Sequence, residues 1–396
     1  MRFPLSYWFG PPLEEMTPER YREIADCGFT IAAPPPGSSM GVNLQHLDLC
    51  HEAGITGLVG DHRLVRERNA IALDHCPGWQ QEAARAVQDY RDHPALYGYY
   101  IGDEPHRQDF ADLAQMCHLV HRLDPTHSAY INLYPTYAAP HLPGSAHDQL
   151  GTATYEEHVA TFQRMIRPHL LSYDHYALFD DGSLRPEYFE NLAIIRRQAL
   201  AAHIPFWQTI LLTPHFRYRD PDEADLRWQA YTTLAYGRRG LAYFTYWTPV
   251  HANYRNAIID PFGARTSHYA CVRRINRELQ ALGPTLLALS SQRVVHAHDV
   301  PPDTQGIVRG IAGGSCVVGE FGGADGTPYV LIVNNDRAHA AQLRVEVSRG
   351  TEVLEVSRRT GAVSPLQEEG RSREGALEIW LAPGDGRLFR VEAVQT

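Results

Sequence analysis

Two adjacent carboxyl groups, those of Asp103 and Glu104, end the apolar stretch GYYIGDEP at positions 98–105. A carboxyl group that is buried or lies beside another negative charge keeps its proton near neutral pH, and such a group is suited to general acid catalysis. Because successive side chains of a strand point to opposite sides, the two cannot both aim directly into one cleft. We therefore predict that Glu104 donates a proton and that Asp103 supports it.

A helix start would also explain this pair, because acidic residues just before a helix are stabilised by its dipole. That explanation does not account for the polar and aromatic residues at the ends of the other apolar stretches. Small-ligand sites combine aromatic walls with a few polar groups, and this mixture suits a carbohydrate. The candidates for substrate binding are Trp8, Asp61, His62, Asp103, Asn132, Tyr134, Tyr173, His175, Gln208, Tyr246 and Trp247.

The elements that must position these residues follow a repeating pattern. Short apolar or aromatic runs recur roughly every 25 to 45 residues, and each is followed by a stretch with helical spacing. Strands are predicted at 3–10, from Phe29, and at 55–61, 97–104, 128–134, 170–178, 205–212 and 240–247. This order predicts an α/β fold, a (β/α)8 TIM barrel over residues 1–285. A doubly wound sheet is the main alternative, but neither of its glycine-rich phosphate motifs is present.

The remainder of the chain, residues 290–396, has a different pattern of apolar and polar residues. Apolar and polar residues alternate in runs such as TPYVLIVNND and ALEIWLAPGDGRLFRVE, separated by glycine and aspartate turns. Alternation of this kind is typical of antiparallel strands with one buried face. We predict a small antiparallel β-sandwich as the second domain.

The composition argues against several kinds of partner. The net charge is −10, the pI is near 6.1, and the basic residues are scattered, so nucleic acid is not expected as a partner. No apolar run of about 18 residues predicts a membrane span. The six cysteines lack metal-type spacing, and we predict neither a metal nor a cofactor. The first residues do not resemble a secretion signal, which favours a cytoplasmic protein, although a secreted chain without its leader would read the same. The sequence leaves a homo-oligomer open.

Several of these motifs resemble the large clan of (β/α)8 glycoside hydrolases whose acid/base glutamate ends strand four, here Asp103-Glu104-Pro105. The segment NAIIDPFGARTSHYACVRRINREL at 256–279 is similar to the closing part of many such barrels, and a following sandwich is common among them. The resemblance implies a carbohydrate substrate, acid/base duty for Glu104 and sugar contacts for Trp247.

The chain departs from this clan at strand seven, where the clan places its nucleophilic glutamate. Here the strand reads PFWQTI, with Gln208 at the expected position, and an amide cannot attack an anomeric carbon. Asp174 on strand six is our predicted second carboxylate, with Asp61 and Asp260 in reserve as a base. Inversion needs the two carboxyl groups about 6.5–9.5 Å apart and retention about 5–5.5 Å, and the sequence permits either. The chain also resembles substrate-assisted hexosaminidases and chitinases, in which the acetamido oxygen of the substrate attacks.

The sequence thus predicts a glycoside hydrolase that cleaves a glycosidic bond of an oligo- or polysaccharide. A metal-dependent barrel hydrolase would be expected to carry H-x-H at the end of strand one, where this chain has Tyr7-Trp8-Phe9. Its only such motif, His296-Ala297-His298, follows the barrel. A non-catalytic carbohydrate-binding barrel is the other alternative. Gln208 favours it, but a binding protein has little use for a buried acid such as Glu104.

Overall fold

The computed structural model describes residues 2–34, 38–68, 70–296, 306–348, 351–366 and 376–393. In its first part, strands and helices alternate as predicted. The strands are β1 (Leu5–Trp8), β2 (Ile31–Ala32), β3 (Thr56–Val59), β4 (Leu96–Asp103), β5 (Ser128–Leu133), β6 (Leu171–Asp174), β7 (Phe206–Leu211) and β8 (Leu241–Phe244). The helices are α1 (Pro18–Asp26), α2 (Met40–Glu52), α3 (Trp79–Tyr90), α4 (Phe110–Leu123), α5 (Tyr155–Ile166), α6 (Tyr188–Ala202), α7 (Glu223–Ala235) and α8 (Ser267–Ala288).

The eight strands form one parallel sheet in the order β1-β8-β7-β6-β5-β4-β3-β2. The two ends of this sheet meet at Thr30, whose backbone nitrogen donates to the Leu5 carbonyl oxygen at 3.0 Å. Leu5 in turn donates from its backbone nitrogen to the Thr30 hydroxyl at 3.0 Å. The sheet therefore closes into a ring, which confirms the predicted barrel.

Local sequence accounts for several helix starts. Helix α1 begins after Thr17, whose hydroxyl accepts from the Arg20 backbone nitrogen, and Pro18 occupies the first helical position. Helix α5 likewise begins after Thr154, whose hydroxyl accepts from the Glu157 backbone nitrogen. These caps satisfy backbone donors that have no partner inside the helix.

The register of the strands decides which side chains face the barrel interior. Trp207 and Tyr130, on β7 and β5, belong to one buried cluster with residues of β2 and β3. Side chains from strands across the ring can touch only inside it. Ser172 lies opposite Trp207 and Asp174 opposite Thr209, so these β6 residues also face the interior. Asp174 is the last residue of β6 and therefore lies at the mouth.

Contacts within the chain divide it into two compact units. One contains Pro4–Asp220 and Gly240–Tyr269, and the other contains residues 2 and 3, Pro221–Arg239 and the described residues from Ala270 onwards. In the second unit, the Trp228 indole of α7 donates to Asn335 Oδ1 at 2.9 Å, and Arg337 forms an ion pair with Asp225. The domain boundary between 285 and 290 stays a prediction.

The second unit holds two antiparallel sheets. Their strands are β9 (Ser290–His296), β10 (Val308–Ala312), β11 (Cys316–Gly322), β12 (Pro328–Asn334), β13 (Ala341–Val347), β14 (Thr351–Val356), β15 (Val363–Pro365), β16 (Ala376–Leu381) and β17 (Gly386–Ala393). One sheet has the order β10-β13-β16 and the other β15-β14-β17-β12-β11-β9. Apolar residues of both sheets form one core, among them Leu343, Ile379, Val330 and Phe389, which confirms the predicted β-sandwich. Of His296-Ala297-His298, only His296 lies within the described residues.

Candidate active site

Glu104 follows Asp103, the last residue of β4, and its backbone nitrogen donates to the Asn132 carbonyl oxygen at 2.8 Å. Its φ angle is +44°, in the left-handed region that residues other than glycine rarely adopt. This turn breaks the alternation of the strand. The Glu104 side chain hydrogen-bonds to Asp174, while Asp103 lines the neighbouring cavity. Both carboxyl groups of the pair therefore reach the mouth, contrary to what alternation alone predicts.

The buried side chain of Asn132 orients two of the carboxylates. Its Nδ2 donates to Asp103 Oδ1 at 3.2 Å and to Asp174 Oδ1 at 2.9 Å. Its Oδ1 accepts from the Ser172 hydroxyl at 3.0 Å, and the Tyr130 hydroxyl lies 2.8 Å from that of Ser172. Because the Ser172 hydroxyl donates its only proton to Asn132 Oδ1, the amide oxygen of Asn132 is fixed towards Ser172. The amide nitrogen must therefore face the carboxylates.

The three carboxyl groups have different protonation behaviour. Burial, followed by the charges of Asp174 and Asp103, raises the pKa of Glu104 well above its ordinary value, against the opposing effect of Arg68. Burial and the Asp103 charge also raise the pKa of Asp174, which Asn132 lowers by hydrogen bonding. Asp103 is surrounded by protein atoms at the mouth, and this desolvation raises its pKa to about 6. Its side chain is nevertheless accessible from the cavity. Near neutral pH, Asp103 is therefore ionised and the Glu104–Asp174 pair holds a shared proton.

These raised pKa values predict a pH-dependent stability. Unfolded carboxyl groups lose their protons near about pH 4, whereas Glu104, Asp174 and Asp103 keep theirs to higher pH in the fold. In that interval the native state binds more protons than the unfolded state, so the free energy of unfolding falls as pH rises. Glu104→Gln removes one such group, and we expect it to raise the Tm by about 2–4 °C at pH 8 and by little at pH 4. Thermal unfolding followed by circular dichroism measures this, and a Tm difference independent of pH would contradict it.

A cavity of about 630 Å³ lies in the barrel mouth beside Asp103. This volume is within the range of about 300–1,000 Å³ that small-ligand sites occupy. The Trp8 indole donates to the Thr209 hydroxyl at 3.1 Å and packs edge-on against Tyr100, with ring centroids 5.8 Å apart. The cavity walls include the rings of Trp8, Phe9, Tyr100, Tyr130 and Phe244 and the polar side chains of His62, Glu67 and Asp103.

Arg68 and Glu67 are residues of this site that the sequence reasoning missed. Arg68 Nη1 donates to the Tyr134 hydroxyl at 2.8 Å, and Arg68 Nη2 donates to the Asp148 carbonyl oxygen at 3.0 Å. Arg68 thus connects the end of β5 to the long loop 135–153, and its charge lowers the pKa of nearby Glu104. Both residues lie in an irregular segment after β3, where no periodicity marks a functional side chain. Their position beyond a barrel strand end is the only signal that could have found them.

The structure places Gln208 outside the mouth. Gln208 is the third residue of β7 and pairs in register with Tyr173, whereas Thr209 faces the interior and binds Trp8. Gln208 and Tyr173 therefore point to the outer side of the barrel, and both are fully buried. The residues that end β7 and follow it, 210–214, read Ile-Leu-Leu-Thr-Pro and contain no carboxyl group. Neither Gln208 nor Tyr173 can contact a ligand in the cavity.

Three further predicted residues also lie away from the cavity. His175 is buried with its Nδ1 2.8 Å from Asn191 Oδ1, and burial lowers its pKa to about 3. The Tyr246 ring packs against that of Tyr7 with centroids 4.8 Å apart. The Trp247 ring lies beneath the Arg20 guanidinium at 5.1 Å. Strand β8 ends at Phe244, three residues before the predicted end, so Phe244 takes the place at the mouth that we predicted for Trp247.

Asp61 is committed to a structural ion pair. Its two carboxylate oxygens accept from Arg63 Nε at 2.9 Å and Arg63 Nη2 at 2.7 Å, and the Tyr90 hydroxyl donates to it at 2.6 Å. Burial alone would raise the pKa of Asp61, but these bonds hold it below its ordinary value. The other reserve base, Asp260, accepts from the backbone nitrogens of Phe262 and Ala264 in a turn.

Arg63→Ala is therefore expected to destabilise the fold without changing the chemistry. It leaves the carboxylate of Asp61 buried without its cation, which costs about 3–5 kcal/mol of the free energy of unfolding. Urea denaturation measures the loss, and kcat per folded molecule should stay within about threefold, because no reacting group has changed. Arg85→Ala is the control, since its pair with Glu82 is exposed and worth less than about 1 kcal/mol. A stable Arg63→Ala variant without activity would place Asp61 in the mechanism.

Comparison with known proteins supports the architecture. No family model and no curated protein matches the sequence. Among solved structures, a glycoside hydrolase family 5 protein from Bacteroides vulgatus matches with a TM-score of 0.59 and 11% identity, covering 99% of this chain and 89% of that chain. A glycoside hydrolase family 30 subfamily 8 xylanase from Clostridium acetobutylicum has a TM-score of 0.51 and 11% identity, covering 99% and 96%. The chain therefore shares its fold with these two proteins.

A third match is partial. The β-galactosidase from the psychrophilic Marinomonas ef1 has a TM-score of 0.53 and 10% identity over 72% of this chain. This chain spans 60% of the length of that enzyme. Among the helices in the described part of the chain, none has both the length and the apolar character of a membrane span. No three His, Cys, Asp or Glu side chains among the described residues are grouped so as to bind a metal ion.

Proposed function

We propose that this protein is a glycoside hydrolase that cleaves an O-glycosidic bond of an oligo- or polysaccharide. Glu104 is the general acid and Asp174 the second carboxylate. The observation that carries the proposal is the hydrogen-bonded Glu104–Asp174 pair in the barrel mouth, next to an aromatic cavity that Asp103 lines. Active sites of (β/α)8 barrels lie at this end of the strands. The fold shared with glycoside hydrolases of families 5 and 30 agrees with this assignment.

The proton of the pair supplies the acid. In the resting site the Glu104 proton is hydrogen-bonded to Asp174, which Asn132 holds in position. When a substrate binds, the glycosidic oxygen takes over as the acceptor of that proton, so the leaving sugar departs as a neutral alcohol. Asp174 and Asp103, which are both ionised, stabilise the positive charge that develops at the anomeric carbon. The Glu104 carboxylate then accepts a proton from the water that completes hydrolysis.

The spacing of the carboxyl groups supports retention of configuration. Inverting enzymes keep their two carboxyl groups about 6.5–9.5 Å apart to admit a water molecule, whereas retaining enzymes keep them about 5–5.5 Å apart. Glu104 and Asp174 hydrogen-bond directly in the resting site, so their spacing is shorter than either value and further from the one that inversion needs. Asp174 is thus within reach of the sugar that Glu104 protonates.

Substrate-assisted hydrolysis is a second candidate, and one observation favours it. Asp103 lines the cavity directly beside Glu104, while residues 210–214 at the end of β7 supply no carboxyl group. In that mechanism the acetamido oxygen of the substrate attacks the anomeric carbon, and a carboxylate beside the acid orients the acetamido group. Comparing aryl 2-acetamido-2-deoxyglycosides with the matching 2-hydroxy glycosides separates the two mechanisms. Turnover of the acetamido sugars alone would favour substrate assistance.

A panel of aryl glycosides and defined oligosaccharides tests the proposed function. We expect turnover of at least one member, and NMR of the first-formed anomer should show retained configuration. Sugar binding that persists in Glu104→Gln, without turnover of any member by the native chain, would instead identify a carbohydrate-binding barrel. An inverted first product would remove Asp174 as the attacking group.

A further inference from the structure

A second group of aromatic side chains continues from the cavity along the barrel rim. The rim cluster consists of Phe9, Tyr176, His215, Phe216, Tyr218, Phe244, His251 and Tyr254, which follow or end β1, β6, β7 and β8. Phe244 joins it to the cavity, because its ring lines the cavity and also contacts those of His215 and Tyr254, with centroids 5.1 and 6.1 Å away. The Tyr176 ring lies 5.3 Å from that of Phe244 and close to Asp174.

Phe216 is an exposed member of the rim cluster and is held in an unfavourable backbone conformation. Its side chain is 64% exposed, and its φ angle is +48°, which is rare for a bulky residue. Asn253 fixes its backbone from both sides: the Phe216 nitrogen donates to Asn253 Oδ1 at 2.7 Å, and Asn253 Nδ2 donates to the Phe216 carbonyl oxygen at 3.1 Å. Neither the exposure nor the backbone conformation stabilises the fold. Strain of this kind concentrates at ligand-binding sites.

The loops that carry the rim cluster are tied together. The Arg255 backbone nitrogen donates to the Pro214 carbonyl oxygen at 3.3 Å, and Asn256 Nδ2 donates to Asp220 Oδ2 at 2.9 Å. His215 stacks on Tyr254 at 4.9 Å with an angle of 16° between the rings. The loop after β7 and the loop after β8 therefore present one preformed surface, and a preformed surface loses little entropy when a ligand binds.

We propose that Phe216 and Tyr254 form a subsite that binds a sugar ring of the substrate next to the sugar in the cavity. This inference rests on the proposed function and extends it to a substrate of more than one sugar unit. The flat C–H face of a pyranose stacks on an exposed ring, and Asn253 and Tyr254, which contact Phe216, carry polar groups that can bond to sugar hydroxyls. Phe244 lines the cavity and contacts Tyr254, which contacts Phe216. The sugar on Phe216 and the sugar beside Glu104 are therefore units of one oligosaccharide.

The test compares Phe216→Ala with Phe262→Ala. Phe262 is a matched control, because it is a 93% exposed phenylalanine in a turn outside the rim cluster. Each change is made in the Glu104→Gln background, and binding of the β-1,4-linked tetrasaccharides of glucose, xylose, mannose and N-acetylglucosamine is measured by saturation-transfer NMR and calorimetry. We expect Phe216→Ala to weaken the tetrasaccharide that binds by about tenfold, Phe262→Ala to leave its Kd unchanged and Phe216→Trp to restore it.

Kinetics separates this inference from the proposed function. In the active background, Phe216→Ala should lower kcat/KM for the tetrasaccharide about tenfold and leave that for the aryl monosaccharide within twofold. An equal loss on both substrates, or an unchanged tetrasaccharide Kd, would overturn the subsite and leave the proposed function standing. A chain that neither binds nor cleaves any member of the panel would overturn both.

Discussion

Glu104→Gln is expected to lower kcat on a natural glycoside by about two to four orders of magnitude. Glutamine keeps the shape of the side chain and can still donate to Asp174, but it cannot give up a proton to the leaving oxygen. The loss should be much smaller on an aryl glycoside with an acidic leaving group, which departs without protonation. Steady-state kinetics on both substrates measures the difference.

Glu67→Gln is the matched control for this substitution. Glu67 also lines the cavity, but its side chain is exposed and it is not a partner in the hydrogen bond between Glu104 and Asp174. We expect its kcat to stay within about threefold of the native value, since it holds no reacting proton. A natural-substrate rate that is unchanged in Glu104→Gln would remove Glu104 from the mechanism.

Asp174→Asn is expected to lower kcat by about two to three orders of magnitude at pH 7 and to change its pH dependence. The new amide must turn its oxygen towards Asn132 Nδ2, which faces this position in the native fold, so its nitrogen faces Glu104. An amide donor stabilises the ionised form of Glu104, and the negative charge that raised its pKa is gone. The alkaline limb of the kcat profile should therefore move to lower pH.

Added azide distinguishes the roles that Asp174 could have. If its carboxylate attacks the sugar, azide should replace it in Asp174→Asn and yield a glycosyl azide of inverted configuration. If it only holds the Glu104 proton, the pH shift should appear without any azide product. Asp103→Asn is the control. Asp103 accepts a hydrogen bond from the same Asn132 side chain as Asp174, but its own side chain lines the cavity. An Asp174→Asn profile that matches the native one would contradict both roles.

The order of strands and helices was predictable because the chain signals each element locally. Strand β4 is a good example, since its apolar run ends in acidic residues and a proline, and the observed Leu96–Asp103 differs from the predicted 97–104 by one residue at each end. A repeated strand–helix order leaves few compact arrangements, and closure into a barrel is the one that fits eight units. The prediction of Glu104 and Asp174 at the mouth needed only this order.

The side that each strand residue faces was harder to predict. Strand β7 is buried along its whole length, so hydrophobic alternation does not distinguish the inner face from the outer one. An error of one residue in register moves a side chain to the opposite face, and this is why Gln208 was expected in the mouth where Thr209 lies. Strand β8 was predicted too long because Tyr246 and Trp247 continue its aromatic pattern beyond Phe244.

The backbone at position 104 has a consequence for the history of this protein. Glycine would adopt a φ of +44° without cost, and it would also remove a carboxyl group that the interior solvates poorly. A protein selected for stability alone would be expected to replace Glu104, since stabilising replacements are easily found when activity is not required. A glutamate at this place therefore carries a cost in stability that the proposed catalytic role of Glu104 would explain.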